Sequence, residues 1–160
     1  MHLVRDAFPQ AEGEALTAAI VLGIGSPFAR DDVGWQAIDL LEASGLCARH
    51  PGCTLAKLDR PGVSLLDAMR GYAQAILVDA MLTDDPPGTV RQLALDDLAC
   101  LHSTSSTHEL GVAETLALGE RLDLLPPRLD VLGIRTGDSL PRGWGIRLAG
   151  ELDEILSTTS

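Results

Sequence analysis

The chain has 160 residues, a mass of 16.9 kDa and a formal net charge of −11 at pH 7. A hydrophobic content of 46% excludes a disordered chain, and one domain of this size can bury a core. Twelve Lys and Arg residues stand among twenty-three acids, which argues against binding to nucleic acid or to an anionic membrane surface. We expect a single domain over residues 1–160, with residues 1–15 as a loose N-terminal extension.

The sequence carries no pattern typical of a membrane or exported protein. No apolar run approaches the ~20 residues of a transmembrane helix. The N-terminus lacks a basic segment followed by an apolar stretch. Cys47, Cys53 and Cys100 have no CxxC spacing, so neither a disulfide framework nor a structural zinc site is supported. We therefore expect a cytoplasmic protein with small, buried, reduced thiols.

The first predicted elements are a buried strand and the helix that follows it. The apolar run Ala18-Ala19-Ile20-Val21-Leu22 predicts a strand from Leu16 to Gly23, buried on both faces. Asp31 and Asp32 stand where a helix begins, because acids in a first turn suit the helix dipole. Gly45 ends that helix.

The remaining segments alternate between strand and helix patterns. The predicted elements are a strand Cys53–Leu58, a short helix Val63–Arg70, a buried strand Ala75–Met81, a strand Thr89–Leu95, a polar loop Asp96–Thr107, a helix from Ser106 to about Leu122, a strand Leu129–Ile134 and a helix Gly145–Leu156. The connection Leu82–Gly88 is too short for a crossover helix, so the fourth strand should run antiparallel to its predecessor. Ser106 and Glu109 fit a capping box at the start of the following helix. The alternation predicts a three-layer α/β/α sandwich with a five-stranded, mostly parallel sheet and one antiparallel strand.

Candidate chemical groups gather at one edge of this sheet. Ligands of open α/β sheets bind outside the carboxyl ends of the strands, where the loop after the first strand, Asp79 and the loop before His108 all fall. Asp79 directly follows a buried strand, where a charge is costly unless it is paired or at the open edge. His108 is predicted in the first turn of a helix, where the dipole favours a neutral ring that can bind a metal.

The glycine loop and the candidate ligands also fit roles that involve no metal. Phe28 replaces the third glycine of a dinucleotide-binding loop, and the two acids that follow would repel a pyrophosphate. Asp31 and Asp32 fit helix-start residues as well as cation ligands, and His108 fits a helix cap as well as a ligand. Two carboxylates and one imidazole still form a mixed O/N set suited to a divalent first-row metal.

Three motifs follow one another along the chain. They are Val21-Leu22-Gly23-Ile24-Gly25-Ser26-Pro27-Phe28 with Asp31-Asp32 and Gly34-Trp35, then Val78-Asp79-Ala80, then Ser106-Thr107-His108-Glu109-Leu110-Gly111. In this order they resemble the nickel–iron hydrogenase maturation endopeptidases, and the resemblance implies a five-stranded α/β/α fold with one antiparallel strand. It implies removal of a C-terminal peptide from the hydrogenase large-subunit precursor after nickel insertion, by an enzyme classed with aspartic-type peptidases.

The resemblance also assigns residues to roles. His108 matches the family histidine and Asp79 the second acid. Counting forward from Gly23 makes Asp32 the first acid, whereas counting back from Gly34-Trp35 makes it Asp31. The assigned groups are Asp79 and Asp32 as catalytic, Asp31, Asp32, Asp79 and His108 as metal ligands, and Gly25, Ser26 and Glu109 as substrate-binding. The cation is nickel sensed in the substrate; another divalent metal could take its place and need not be permanent.

Two questions stay open at this point. The general base is either Asp79 or a water activated by the metal. The alternative function is a non-catalytic assembly factor that binds nickel or the hydrogenase precursor and hands it on. An unrelated α/β metal hydrolase with a site at the same edge is a third hypothesis.

Overall fold

The sheet has five strands, with helices packed on both of its faces. The computed structural model describes residues 18–27, 31–101 and 110–158. The strands are β1 (Ala19–Gly25), β2 (Cys53–Asp59), β3 (Gln74–Met81), β4 (Val90–Leu93) and β5 (Arg128–Arg135). The helices are α1 (Val33–Ala43), α2 (Leu46–Arg49), α3 (Ser64–Met69), α4 (Val112–Arg121) and α5 (Trp144–Ser157), with a 3-10 helix at Leu95–Cys100.

The strand order is β2-β1-β3-β5-β4. β1 pairs in parallel with β2 and β3, β3 pairs in parallel with β5, and β4 is antiparallel to β5. The predicted fold class, a three-layer α/β/α sandwich with one antiparallel strand, is therefore confirmed.

Alternating side chains of the strands bury two separate clusters. The cluster on one face joins the sheet to α1, α2 and α5 through residues that include Val21, Ile38, Leu41, Val78 and Leu148. The cluster on the other face joins it to α3, α4 and the 3-10 helix through residues that include Leu22, Leu66, Leu77, Leu98 and Leu116. None of the described helices is long and apolar enough to cross a membrane.

The fourth strand runs antiparallel to its predecessor, as predicted, but it is not hydrogen-bonded to that strand. β4 pairs with β5, from Val90 opposite Ile134 to Leu93 opposite Val131. All eight residues of β3 are buried, so β3 needs a strand on each side, and β1 and β5 take these places. β4 exposes side chains such as Arg91 and suits the edge of the sheet.

The helix predicted to begin at Ser106 begins later. α4 starts at Val112 with Gly111 as its N-cap, and Leu110 is not helical. The capping box of Ser106 and Glu109 therefore does not begin α4, and both residues lie outside the described part of the chain. The predicted extension, residues 1–15, lies outside it as well.

The end of β3 contacts the first part of the segment predicted as a polar loop from Asp96 to Thr107. This segment begins in the 3-10 helix, and Leu101 forms an antiparallel bridge with Met81. The backbone N–H of Leu82 donates to the carbonyl of Cys100 at 2.7 Å. These contacts were missed because they join residues about twenty apart and leave no local pattern.

The three cysteines are free thiols, as predicted, although each is half-buried instead of buried. Burial, together with the neighbouring Cys47 thiol, raises the pKa of Cys53 to about 12. Cys53 is therefore a thiol, and not a reactive thiolate, at neutral pH.

Two glycines allow the first turn of α1 to lie directly on the sheet. A Cβ atom at Gly34 would lie 2.1 Å from the carbonyl oxygen of Ile24 and 2.8 Å from that of Val78. A Cβ atom at Gly23 would lie 2.2 Å from the carbonyl oxygen of Gly34. Because backbone atoms on both sides cannot give way, these positions accept only glycine, and they fix where the residues before α1 are placed.

We predict that Gly34→Ala destabilises the fold by about 1–3 kcal/mol, or prevents folding, because the added methyl group overlaps backbone atoms. Gly150→Ala is the matched control, since a Cβ at this α5 glycine has no neighbour within 4 Å. Alanine there should stabilise the helix by about 0.5–1 kcal/mol. Urea unfolding followed by circular dichroism measures both changes. Equal midpoints for the two variants would refute the close-packing argument.

Candidate functional site

The loop after β1 and the end of β3 meet at one edge of the sheet. β1 and β3 are adjacent parallel strands, and Gly23 lies opposite Val78 in the register. Asp79, the next residue of β3, therefore lies beside the chain that leaves β1 through Gly25 and Ser26. This is the carboxyl edge of the parallel strands, where ligands of such sheets bind.

Asp79 is a buried carboxyl group, with 3% of the residue exposed. Its Oδ1 accepts a hydrogen bond from the backbone N–H of Ala80 at 2.8 Å. Burial raises the pKa of Asp79 well above its ordinary value, the Ala80 hydrogen bond lowers it, and the negative charge of Asp31 raises it. The protonated form is thus favoured far more than in water.

Asp31 is the acid whose negative charge acts on Asp79 and raises its pKa. Asp31 is itself buried, and its Oδ2 accepts a hydrogen bond from Ser26 Oγ at 2.7 Å. The backbone N–H of Ser26 donates to the carbonyl oxygen of Asp31 at 2.8 Å. A Cβ at Gly25 would lie 2.5 Å from that same oxygen, so glycine is needed for the loop to close.

Asp32 points elsewhere. It is the N-cap residue of α1, yet its side chain makes no cap hydrogen bond, and its Oδ1 accepts from Gln36 Nε2 at 3.0 Å. Asp32 lines a separate cavity of about 430 Å³ together with Gln36, Asp138 and Trp144. Of the two acids that the sequence could not separate, the geometry favours Asp31 as the partner of Asp79. The catalytic assignment of Asp32 stays a prediction that this placement does not support.

The loop after β1 is held against β2. Trp35 Nε1 donates to the carbonyl oxygen of Leu58 at 3.0 Å, and the backbone N–H of Arg60 donates to the carbonyl oxygen of Gly25 at 3.1 Å. In the sequence, Trp35 stands out only as part of the Gly34-Trp35 pair of the first motif. Its role as an anchor was missed, since a tryptophan at an apolar helical position carries no sign of its hydrogen-bond partner.

His108 and Glu109 lie outside the described residues, so their predicted roles stay predictions. The predicted helix start at Ser106, on which the dipole argument for a neutral His108 ring depends, is not the start of α4, which begins at Val112. The described residues contain no group of three or more His, Cys, Asp or Glu side chains that could hold a metal ion. Within that part of the chain the site consists of two acids, Asp31 and Asp79.

The comparisons with known proteins agree on one family. A sequence model of the family described as hydrogenase maturation protease matches residues 61–156, which include Asp79 and His108 but not the loop after β1. The chain matches no curated protein sequence.

Solved structures show the same fold. The hydrogenase maturating endopeptidase HybD from E. coli is 21% identical, with a TM-score of 0.63, over 88% of this chain and 91% of that one. The [NiFe] hydrogenase maturation protease HycI from Thermococcus kodakarensis is 15% identical, with a TM-score of 0.56, over 89% and 92%. The hydrogenase 2 maturation peptidase from Thaumarchaeota archaeon SCGC_AB-539-E09 is 19% identical, with a TM-score of 0.53, over 88% and 97%.

The family match covers more than half of the chain and includes the second and third of the three motifs that carried the resemblance. The fold agrees with the match throughout. The chain therefore belongs to the hydrogenase maturation protease family and is an endopeptidase of hydrogenase maturation.

Proposed function

We propose that this endopeptidase removes the C-terminal peptide from the large-subunit precursor of a nickel–iron hydrogenase once nickel has been inserted. Nickel carried by the precursor docks against Asp31, Asp79 and His108. The observation that supports this proposal is the convergence of two buried carboxyl groups at the carboxyl edge of the sheet. The same three side chains could accept another divalent cation, which they would hold only while the substrate is bound.

The electrostatics of the acid pair suit a cation that arrives with the substrate. Asp79 carries a desolvation penalty and is also repelled by Asp31. A divalent cation between the two carboxylates would offset both effects and favour the ionised form of each. Because the described residues offer only two ligands, the remaining coordination positions fall to His108, water and groups of the precursor itself. This arrangement senses nickel without holding it permanently.

Docking of the precursor would place the scissile peptide bond beside Asp79. A water molecule attacks the carbonyl carbon, and Asp79 takes the proton of that water and returns it to the leaving amine nitrogen. Burial favours the protonated form of Asp79 in the isolated chain, and the docked cation would restore the ionised form that a general base needs. The proposal thus assigns the general base to Asp79 and the aspartic-type class to the enzyme.

We also propose that the reaction takes place in the cytoplasm. Cys47, Cys53 and Cys100 are free thiols, which is typical of a reducing compartment.

We predict that Asp79→Asn lowers kcat/KM for a nickel-loaded precursor by at least about 100-fold, the usual minimum for a lost acid–base group. Asp31→Asn should lower kcat/KM by about 100-fold or more, because losing a metal ligand costs at least as much as losing a group that orients one. Asp32→Asn should stay within a few-fold of wild type, because its carboxylate bonds Gln36 and not the acid pair. Asp39→Asn is the matched control: Asp39 is an exposed acid of α1 that pairs with Lys57. The mass of the large subunit before and after incubation reports cleavage.

The results for these variants test the choice of first acid, the assigned site and the enzymatic function. Loss of cleavage in Asp32→Asn but not in Asp31→Asn would reverse the choice of first acid. Normal cleavage by Asp79→Asn and by His108→Ala would remove the assigned site. Precursor that co-elutes with the wild-type protein but is never shortened would favour the assembly-factor hypothesis.

A further prediction concerns pH and stability. Burial raises the pKa of Asp79 in the folded chain above its unfolded value, so ionisation costs stability as pH rises through the interval between these two values. Asp79→Asn keeps an oxygen that can accept from Ala80 and cannot ionise. It should therefore unfold at a higher temperature than wild type at pH 7, with a difference that shrinks as pH falls toward about 4. Calorimetry with EDTA present tests this expectation, and a difference independent of pH would contradict it.

A further inference from the structure

Ser26 makes two hydrogen bonds to one residue of the acid pair. Its Oγ donates to Asp31 Oδ2 at 2.7 Å, and its backbone N–H donates to the Asp31 carbonyl oxygen at 2.8 Å. The two residues are five apart, so these bonds close the loop between β1 and α1 on itself. Ser26 is 1% exposed.

A hydroxyl bonded to a carboxylate restricts how that carboxylate can rotate. Charge-assisted bonds of this kind are short and roughly twice as strong as bonds between neutral groups. The backbone bond fixes the main chain of Asp31 while the Oγ bond fixes its side chain. Gly25 and Gly34 permit the close backbone contacts on either side of the loop. The two hydrogen bonds from Ser26 thus restrict both the main chain and the carboxylate of Asp31.

We propose that Ser26 is a positioning residue that orients the carboxylate of Asp31 toward Asp79, so that both acids present oxygens to one cation. This inference rests on the proposed function of the acid pair. It replaces the assignment of Ser26 to substrate binding, because a residue that is 1% exposed has almost no surface to offer a substrate.

The alternative role for Ser26 is that of a purely structural hydroxyl. Thr83, on the loop after β3, provides a matched example: its Oγ1 donates to Asp85 Oδ2 at 2.6 Å at the same edge of the sheet. Removing a purely structural hydroxyl would change the stability of the fold, and its effect on kcat/KM would not depend on Asp31. The two roles therefore differ in whether the effect of Ser26 depends on the presence of the Asp31 carboxylate.

The test is a double-mutant cycle with Ser26→Ala, Asp31→Asn and the double variant, assayed on nickel-loaded precursor. Ser26→Ala should lower kcat/KM by about 10- to 100-fold, the range found when a residue that orients a ligand is removed. The double variant should be no slower than Asp31→Asn alone, since the hydroxyl acts only through that carboxylate. Ser26→Thr restores the hydroxyl and should recover most of the loss. Thr83→Ala should stay within about threefold of wild type, because its hydroxyl bonds Asp85 and neither residue of the acid pair.

A second measurement does not depend on cleavage. Titration calorimetry with Ni²⁺ alone should show weaker binding to Ser26→Ala than to wild type, by a similar factor, and no change for Thr83→Ala. Thermal unfolding of each variant confirms that it is folded. If Ser26→Ala does not fold, Ser26→Cys takes its place in the cycle, because it keeps nearly the same volume with a weaker donor.

The outcomes separate this inference from the function on which it rests. Effects of Ser26→Ala and Asp31→Asn that multiply in the double variant would overturn the positioning role and leave the proposed function intact. Wild-type cleavage by Ser26→Ala alongside an inactive Asp31→Asn would do the same. A wild-type protein that never shortens the nickel-loaded precursor would overturn the proposed function and the inference together.

Discussion

The structure depends on one backbone contact, the approach of the first turn of α1 to the ends of β1 and β3. Gly34 lies against the carbonyl oxygens of Ile24 and Val78, and Gly23 lies against the carbonyl oxygen of Gly34. With no side chain between them, the helix and the sheet are in direct backbone contact. The position of Asp31 next to Asp79 follows from this contact, because the loop leaves β1 at Gly25 and must enter α1 immediately after Asp32.

The burial of Asp79 is unfavourable for folding. Asp79 is buried and repelled by its neighbour, so its charge costs stability in the isolated chain. In the proposed function this cost serves recognition, because a cation carried by the substrate would remove the repulsion only when it arrives. The hydrogen bond from the Ser26 hydroxyl restricts one of the two carboxylates before that event. In that proposal, local instability and metal recognition have the same origin.

Most of the fold could be predicted from local patterns. The apolar runs of β1 and β3, the short connection after β3 and the closing helix α5 each carry a periodicity that belongs to one kind of element. Their predicted bounds differ from those observed by at most three residues. The predicted start of α4 was wrong, because Gly111 caps this helix and the capping-box pattern of Ser106 and Glu109 does not. The neighbour of β4 was not predictable, because a short connection fixes the direction of a strand but not its partner.

The sequence by itself determined the sheet, the family and the set of acids from which the site is built. It could not decide between Asp31 and Asp32. Both residues come just before Val33, the first helical residue, so helical periodicity does not say which of them faces the sheet. That choice depends on how the first turn of α1 packs on the sheet, a contact between backbones that sequence spacing does not reveal. In the tertiary structure Asp31 is buried, accepts a hydrogen bond from Ser26 and raises the pKa of Asp79. Asp32 instead accepts a hydrogen bond from Gln36 at the exposed start of α1.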